Sequence, residues 1–486
     1  FNIADDRDAT ITPMVTSKEG TVLTGEYRQA TENGYFQAAS SITRDDRLPD
    51  DNRLSEHSRG HIDTYSEFAL NPYWKAGFDI ARSTDATYLA RYGFARGQPS
   101  LLQNVYLHGR ESRVRADLDA YYFQSLNPDI SEKTVPWVLP LFDYAWRSEA
   151  GPDGIWMFNG NMRVLGRPRG ADSQRLSLTT GWQMPLVSSA GLLTKLRLSL
   201  RGDVYRVTEL TNPVRPTGDS LDGITGRVVP QAEANMRWPW VRDGAESRQI
   251  VEPILQLIIG PNGGNPTEIP NEDSLSFEFD DANLFSANRY PGLDRIESGL
   301  RANSGIRMAH YGNSGAWSEL LIGQTWRARD DDTFETGTGL ADHFSDYVGR
   351  LTVAPARWLD VSLRFRVNND NLSIQRNSLS ASAGPEWLRG NLSYINLSHQ
   401  PTSGVPSTVE QLNLSTAYRF QEFWRLTAHH QRALSSPGGS LASGVGLTYE
   451  DECITLTLQA NRSFTHQLDV EASTSISVMV RLRNLG

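Results

Sequence analysis

Residues 359–367 read LDVSLRFRV. Leu359, Val361, Leu363, Phe365 and Val367 alternate with Asp360, Ser362, Arg364 and Arg366. Successive side chains of a β-strand point to opposite faces, so this stretch makes a strand with one aliphatic and one charged face. Sheets buried in layers do not keep Arg and Lys on one face and aliphatics on the other over many strands. Here the pattern recurs. Leu196, Leu198 and Leu200 alternate with Lys195, Arg197, Ser199 and Arg201. Ile454, Leu456 and Leu458 alternate with Thr455 and Thr457, and Ile476, Val478, Val480 and Leu482 with Ser477, Met479, Arg481 and Arg483. No long helical period stands out.

Connections between these runs come in two lengths. KEG at 18–20, ENG at 32–34, SSAG at 188–191 and SPGG at 436–439 are tight. The stretches 44–60, 211–223, 260–273 and 329–339 are long, acidic and rich in Pro, Gly, Asp and Asn. Strands of about ten residues, greasy outside and polar inside, with short turns at one end and long loops at the other, mark a transmembrane β-barrel. Lipid leaves no backbone group unpaired without cost, so a spanning sheet must close on itself. At roughly 18–20 residues per strand and connection, the chain divides into on the order of two dozen strands, about 26. The fold expected is therefore all-β: one large antiparallel transmembrane β-barrel over residues 1–486, closed between its first and last strands. A soluble β-propeller or sandwich array is the rival, but no blade-length repeat of about 40–50 residues is visible. Tyr73, Trp74, Trp238, Trp240, Tyr418 and Trp424 fall near strand ends, where aromatic girdles meet the membrane interface.

The composition narrows the function. With 57 acidic against 47 basic side chains the net charge is -10, and there are no basic runs, which argues against nucleic acid. No apolar run approaches the roughly 18 residues of a membrane helix; WVLPLF at 137–142 and QLIIG at 256–260 are strand-sized. The single cysteine, Cys453, rules out an internal disulfide framework and a cysteine-cage metal site, and fits an oxidising compartment. The chain starts on a polar strand without a leader and reads as a mature or trimmed protein.

The first strand carries an oddity. In DATITPMVT at 8–16, Ala9, Ile11, Pro13 and Val15 point one way and Thr10, Thr12, Met14 and Thr16 the other. Proline cannot donate to a ladder and is confined to edges, strand starts and bulges. In a closed barrel the first strand, about 8–17, meets the last, about 474–483. There Pro13 deletes one donor and weakens the seam locally. The other reading puts Pro13 at a bulge or beyond the ladder's end.

Several motifs resemble the lipopolysaccharide-assembly outer-membrane LptD family. NIADDRDATITP with Asp8, Thr10, Thr12 and Pro13, then Glu26, Tyr27 and Arg28, is similar to the start of that family's barrel. Glu252-Pro253 and Asn288, Arg289, Gly292, Leu293, Asp294, Arg295 and Ile296 resemble its mid-barrel segments, and GLTYEDECITLTLQ its strand-turn-strand near the end. The resemblance runs collinearly over nearly all of the chain. It implies an outer-membrane translocon of Gram-negative cells that inserts lipopolysaccharide into the outer leaflet. The head group passes through the lumen, and the acyl chains leave through a lateral gate formed here by Thr10, Ile11, Thr12 and Pro13 against Ile476, Val478 and Val480. It implies a plug lipoprotein in the lumen, since nothing in the chain looks like a plug domain. It also implies periplasmic bridge proteins reached through a jelly-roll domain that precedes the barrel in the family and is absent from this chain. The family has two adjacent cysteines where Glu452-Cys453 stand, so Cys453 is implied to form a disulfide with a partner outside this chain. Asp294 and Arg295 belong to the motif without an assigned role.

The other constellations are weaker. Nine histidines form no HExxH motif and no nucleophile elbow accompanies them, so neither an enzyme nor a cofactor is expected. His429 and His430 face opposite sides of a strand, which suits no shared metal. Asp50-Asp51, Glu272-Asp273 and Asp330–Asp332 read as solvated loop clusters rather than divalent-cation sites. The competing functions are an outer-membrane porin or plugged nutrient transporter, and a soluble carbohydrate-binding or carbohydrate-degrading β-protein.

Overall fold

The structure is a computed structural model that describes residues 1–16, 20–44, 58–94, 99–211, 220–275, 278–329, 334, 337–398, 408–466 and 471–482. Among the described residues there are twenty-six strands, one five-residue helix, Tyr88–Tyr92, and a single 3-10 turn, Glu132–Thr134. Asn2–Ala4 and Trp240–Asp243 are short strands; the others run nine to sixteen residues, enough to span a bilayer at a tilt. Each long strand pairs antiparallel with the next, in one uninterrupted ladder from Arg7–Thr16 to Ser473–Leu482. The fold is the large antiparallel transmembrane β-barrel that the alternation predicts.

The two ends differ as expected. One end has tight connections: 32–33, 112–113, 357–358, 421–423 and 451–453. The other carries 84–99, 209–222, 260–300 and 328–346. Two tight turns from the sequence reading depart from this. Residues 434–438, which hold all of SPGG but its last glycine, join Trp424–Ala433 to Gly439–Glu450 at the long-connection end, as does the KEG connection. Residues 17–19 of the latter lie outside the described residues.

Tryptophan marks the short-turn end. Trp74, Trp146, Trp156, Trp182, Trp238, Trp240, Trp317, Trp358, Trp387 and Trp424 all lie in or beside its turns, and only Trp137 and Trp326 sit at the other end. Trp238 packs edge-on to Trp240, and Trp424 against Phe420 and Tyr449. A ring that is apolar along its body and polar at its N–H suits the membrane interface.

The two faces separate by register. Met162, Leu176, Val204 and Val228 stand exposed on one side. Their neighbours Arg163, Arg175, Tyr205 and Arg227 are buried on the other. The exposed aliphatic face is the lipid face, and the polar face lines the lumen. Leu200 lies mid-strand on the lipid face and Ser199 on the lumen face. Leu200→Lys is expected to cost about 2–4 kcal/mol in a denaturant titration of the lipid-reconstituted barrel, because a cation is placed near the bilayer midplane, and Ser199→Lys less than about 1 kcal/mol. Equal costs would contradict the assignment of faces.

Candidate functional site

The seam is built from the edge strands. Arg7–Thr16 pairs with Gly20–Thr31 in an unbroken register, Arg7 opposite Gln29 through Thr16 opposite Gly20, with Pro13 opposite Leu23. The outer edge of the first strand is capped only at its start. The Phe1 ammonium donates to the Ala9 carbonyl at 2.6 Å, and the Ala9 amide donates to the Phe1 carbonyl at 2.9 Å. Backbone groups of alternate residues in a strand point to opposite edges. The Ala9 amide faces outward, so those of Ile11 and Val15 do too, and position 13 shares this parity. In agreement, the Thr12 carbonyl faces inward, where the Thr24 hydroxyl donates to it at 2.8 Å. Pro13 therefore removes nothing from the inner ladder. The missing donor lies wholly on the outer edge, and the register shows no bulge there.

The sheet's other edge strand is Ser473–Leu482. It pairs with Ile454–Ser463 on one side, and every one of its ten residues is exposed. Ile476, Val478 and Val480 share the lipid face with Leu456, Leu458 and Ala460. Among the described residues no ladder joins Ser473–Leu482 to Arg7–Thr16, and the two do not run side by side along their length. Residues 17 and 483, which the sequence reading included in these strands, lie outside the described residues.

A clip backs the seam from within. Met14 and its partner Val22 pack on Tyr88, Leu89, Tyr92, Leu101 and Leu126. The helix Tyr88–Tyr92 is held there by Asp85, which accepts from the Thr87 and Tyr88 amides and from the buried Arg59 guanidinium at 2.7 Å. Burial pushes the Asp85 carboxyl up, but Arg59 and the Thr87 amide outweigh it and hold it below the ordinary range.

The lumen is not empty of this chain, contrary to the sequence reading. Residues 260–300 form a strap across the polar wall. Its logic lies in four pairs of arginines that the register sets directly opposite each other: Arg163 and Arg175, Arg301 and Arg327, Arg350 and Arg364, Arg366 and Arg376. Like charges facing each other across strands repel. The strap supplies a carboxylate to each pair. Asp294 accepts from Arg163 at 3.1 Å and Arg175 at 2.6 Å. Glu297 accepts from Arg327, and from Arg289 of the strap, and lies 3.5 Å from Arg301. Asp281 lies 3.5 Å from Arg350 and 3.6 Å from Arg364. Glu278 pairs with Arg376, and Asp346 of the connection 328–346 lies 3.6 Å from Arg366.

Local sequence shapes the strap. Asp273 accepts from the Leu293 and Asp294 amides, while Asp294 accepts from the Glu272 and Asp273 amides, so the two aspartates tie the strap's ends together. Gly292 sits against Asp273, and a Cβ there would come within 2.2 Å of its carboxylate. Arg295 donates to the Ile269 carbonyl at 3.0 Å and stays within the strap. Phe279, Leu284, Tyr290, Phe334, Leu340 and Val348 bury the far half.

The strap's carboxylates differ in ease. Burial pushes Glu297 up, yet Arg289, Arg301 and Arg327 hold it at about 2. Burial likewise raises Asp273, and Arg175 and Arg163 hold it well below the usual carboxylate range. For Asp281 and Glu278 burial wins and both are pushed up; neither Asp281 oxygen has a hydrogen-bond donor.

Other expected residues fall as follows. Cys453 is exposed in the turn 451–453, at the end where Arg7–Thr16 begins and Ser473–Leu482 finishes, with its amide donating to Asp451 at 2.8 Å. Glu272 pairs with Arg167 at 2.6 Å and Asp273 with Arg175, so these carboxylates serve arginines. Asp50-Asp51 and Asp330–Asp332 lie outside the described residues. His429 faces the lumen beside Gly444, and His430 faces lipid.

Glu297→Gln leaves three buried guanidiniums sharing no charge and is expected to cost about 3–5 kcal/mol, whereas Asp281→Asn costs less than about 1 kcal/mol. Both are read by denaturant unfolding in lipid vesicles. The pH response follows from the depressed values. Glu297 at about 2 and the lowered Asp273 contribute stability that is complete above the ordinary carboxylate pKa, about 4 to 4.5, and is lost as pH falls through the folded values. Strap docking, read by protease protection of residues 260–300, is therefore flat from pH 8 to about 5 and falls only below about pH 4.

A family model described as LptD, LPS transport system D, matches residues 57–424. Relatives named LPS-assembly protein LptD are similar along the whole chain: 26% identical in Nitrosomonas eutropha, and 23% in Sodalis glossinidius and Pasteurella multocida. The chain spans 66% of the length of each of these curated relatives. Loose structural likeness, at TM-scores of 0.24 and 0.31, extends to a Rh. blastica porin (12% identity, 67% of this chain and 98% of that one) and to the siderophore receptor PirA of Pseudomonas aeruginosa (11%, 98% and 80%). With the matched segment covering most of the barrel, this chain belongs to the LptD family.

Proposed function

We propose that this barrel is an outer-membrane translocon that places lipopolysaccharide in the outer leaflet. The cargo poses two opposed solvation problems. Its sugars and phosphates cost several kcal/mol per group in hydrocarbon. Its acyl chains cost about 0.8 kcal/mol per CH₂ in water. A closed pore serves only the head, and a lipid surface only the tail. A wall that parts along one line serves both at once, with heads in the lumen and tails leaving sideways.

The observation that carries this reading is the parity of Pro13. The amide it lacks belongs to the outer edge of the first strand, between the outward amides of Ile11 and Val15. An unmade hydrogen bond forgoes only about 1 kcal/mol net in water, and more in lipid. Thr10, Ile11, Thr12 and Pro13 on one side, and Ile476, Val478 and Val480 on the other, form the lips of the gate. A porin or nutrient transporter gains nothing from a deleted donor at its closing edge.

The partners follow from geometry and family. The strap covers the wall from Ile155–Gly166 to Ile374–Ala383. The remaining lumen is where the plug lipoprotein that the family resemblance implies would sit. Cys453, the start of Arg7–Thr16 and the end of Ser473–Leu482 share the short-turn end. That end would face the periplasm, where a preceding domain and its bridge proteins would dock and where a disulfide from Cys453 would reach.

A double variant, Ile11→Cys with Val478→Cys, joined by a short bis-maleimide in cells, is expected to stop lipopolysaccharide reaching the surface, while either single variant does not. Normal surface lipopolysaccharide with the seam cross-linked would overturn the gate.

A further inference from the structure

The lipid face beside the seam carries groups that do not belong in hydrocarbon. Register sets His430 opposite Ser443, Ser443 opposite Arg462, and Arg462 opposite Thr474. These four form one continuous cross-strand row that ends on the last strand. All share parity with Leu426, Leu456, Leu458 and Val478, so they face lipid. His430 Nδ1 and the Ser443 hydroxyl are 2.7 Å apart. The Arg462 guanidinium lies 4.9 Å from the centre of the Phe464 ring and forms no ion pair among the described residues. An arginine on a lipid face is costly at mid-depth and tolerated near the interface. Arg462 stands one residue from its strand's end, on the long-connection side, which in outer-membrane barrels faces outward.

Next to this row the lipid face is hollow. Ala428, Ala460, Gly390, Leu414 and Val445 are among the residues that line a groove of about 670 Å³. That volume is in the range of ligand sites, about 300–1,000 Å³. The groove is apolar, and the cationic row lies along its outward edge.

We infer that this groove is a binding site for a phosphate-bearing glycolipid with several acyl chains, the cargo as it leaves the seam. The chains lie along the apolar lining, and an anionic phosphate is taken by Arg462 with His430 and Ser443. Charge complementarity selects this occupant: the row offers donors and positive charge and no carboxylate. Continuity with the last strand puts the site where lipid emerging sideways would first rest. The inference builds on the proposed function, since it takes the cargo from that reading. It assigns the translocon a holding step on its outer wall.

The test places a photo-reactive benzoyl-phenylalanine at Val445 in the full-length protein with its partners, reconstituted in nanodiscs of phosphatidylethanolamine and phosphatidylglycerol with or without added lipopolysaccharide. The expected result is a lipopolysaccharide adduct at Val445. It falls about tenfold in Arg462→Gln/His430→Gln and about tenfold with dephosphorylated lipopolysaccharide, as loss of charge-assisted bonds requires. Retention of the SDS-resistant fold by the double variant shows that the barrel is intact; should it unfold, Arg462→Lys and dephosphorylated lipopolysaccharide carry the comparison. An adduct insensitive to charge, or phospholipid captured as well as lipopolysaccharide when both are present, overturns the site. Because lipopolysaccharide is supplied in the nanodisc, the result does not depend on export. An absent adduct with a seam that blocks export when locked removes the groove alone, and normal export with a locked seam removes the gate alone.

Discussion

Lipid offers no partner to a backbone amide or carbonyl, and that single constraint organises this molecule. It turns a long run of amphipathic strands into one sheet in which each strand pairs with the next. It also makes any unpaired edge conspicuous. Among the described residues the sheet has two edges, at Arg7–Thr16, whose outer side is paired only at its start by Asn2–Ala4, and at Ser473–Leu482. Sequence has worked on one of these edges directly. Pro13 removes a donor that only the outer edge could have used, while the inner ladder to Gly20–Thr31 keeps its full register. Weakness is placed where opening is needed and nowhere else along that strand.

The rest of the wall is treated in the opposite way. A lumen lined with arginine is soluble inside but repels itself when the register sets guanidiniums face to face. The strap answers three such confrontations with Asp294, Glu297 and Asp281, and the fourth is shared, with Glu278 of the strap on Arg376 and Asp346 of the connection 328–346 on Arg366. Breaking such a buried pairing strands a charge, which is far costlier than the pairing's net worth. The strap therefore fixes the wall from Ile155–Gly166 to Ile374–Ala383. Near the seam the first strand instead rests on the apolar clip around Tyr88, and the last strand, exposed at every residue, pairs among the described residues with its one neighbour. Flexibility is left to the join.

Much of this was legible in the sequence. LDVSLRFRV shows a strand with one charged face, and its repetition gives barrel, span and the two kinds of connection. Pro13 was legible as an anomaly; its direction was not, because that needs the geometry of Ala9 against Phe1. The strap was missed. Residues 260–273 read as a long acidic loop and Asn288–Ile296 as a motif without a role, since their partners, Arg163 and Arg175, lie some hundred positions away and are brought together only by register. Asp294 and Arg295 stood out as a motif, but a motif does not say that one of them clasps the wall and the other ties the loop. A signal was available: several carboxylates in one long connection, set against arginines at inward strand positions. SPGG misled for a different reason, because tightness does not say at which end of a barrel a turn lies.

The central claim is that the wall is held firm everywhere except at one join. Amide hydrogen exchange of the full-length protein in lipid nanodiscs measures this strand by strand. The account predicts rapid exchange at the outward amides of Ile11 and Val15 and along Ser473–Leu482, with strong protection from Ile155–Gly166 to Ile374–Ala383. Uniform protection around the whole sheet, terminal strands included, would contradict it.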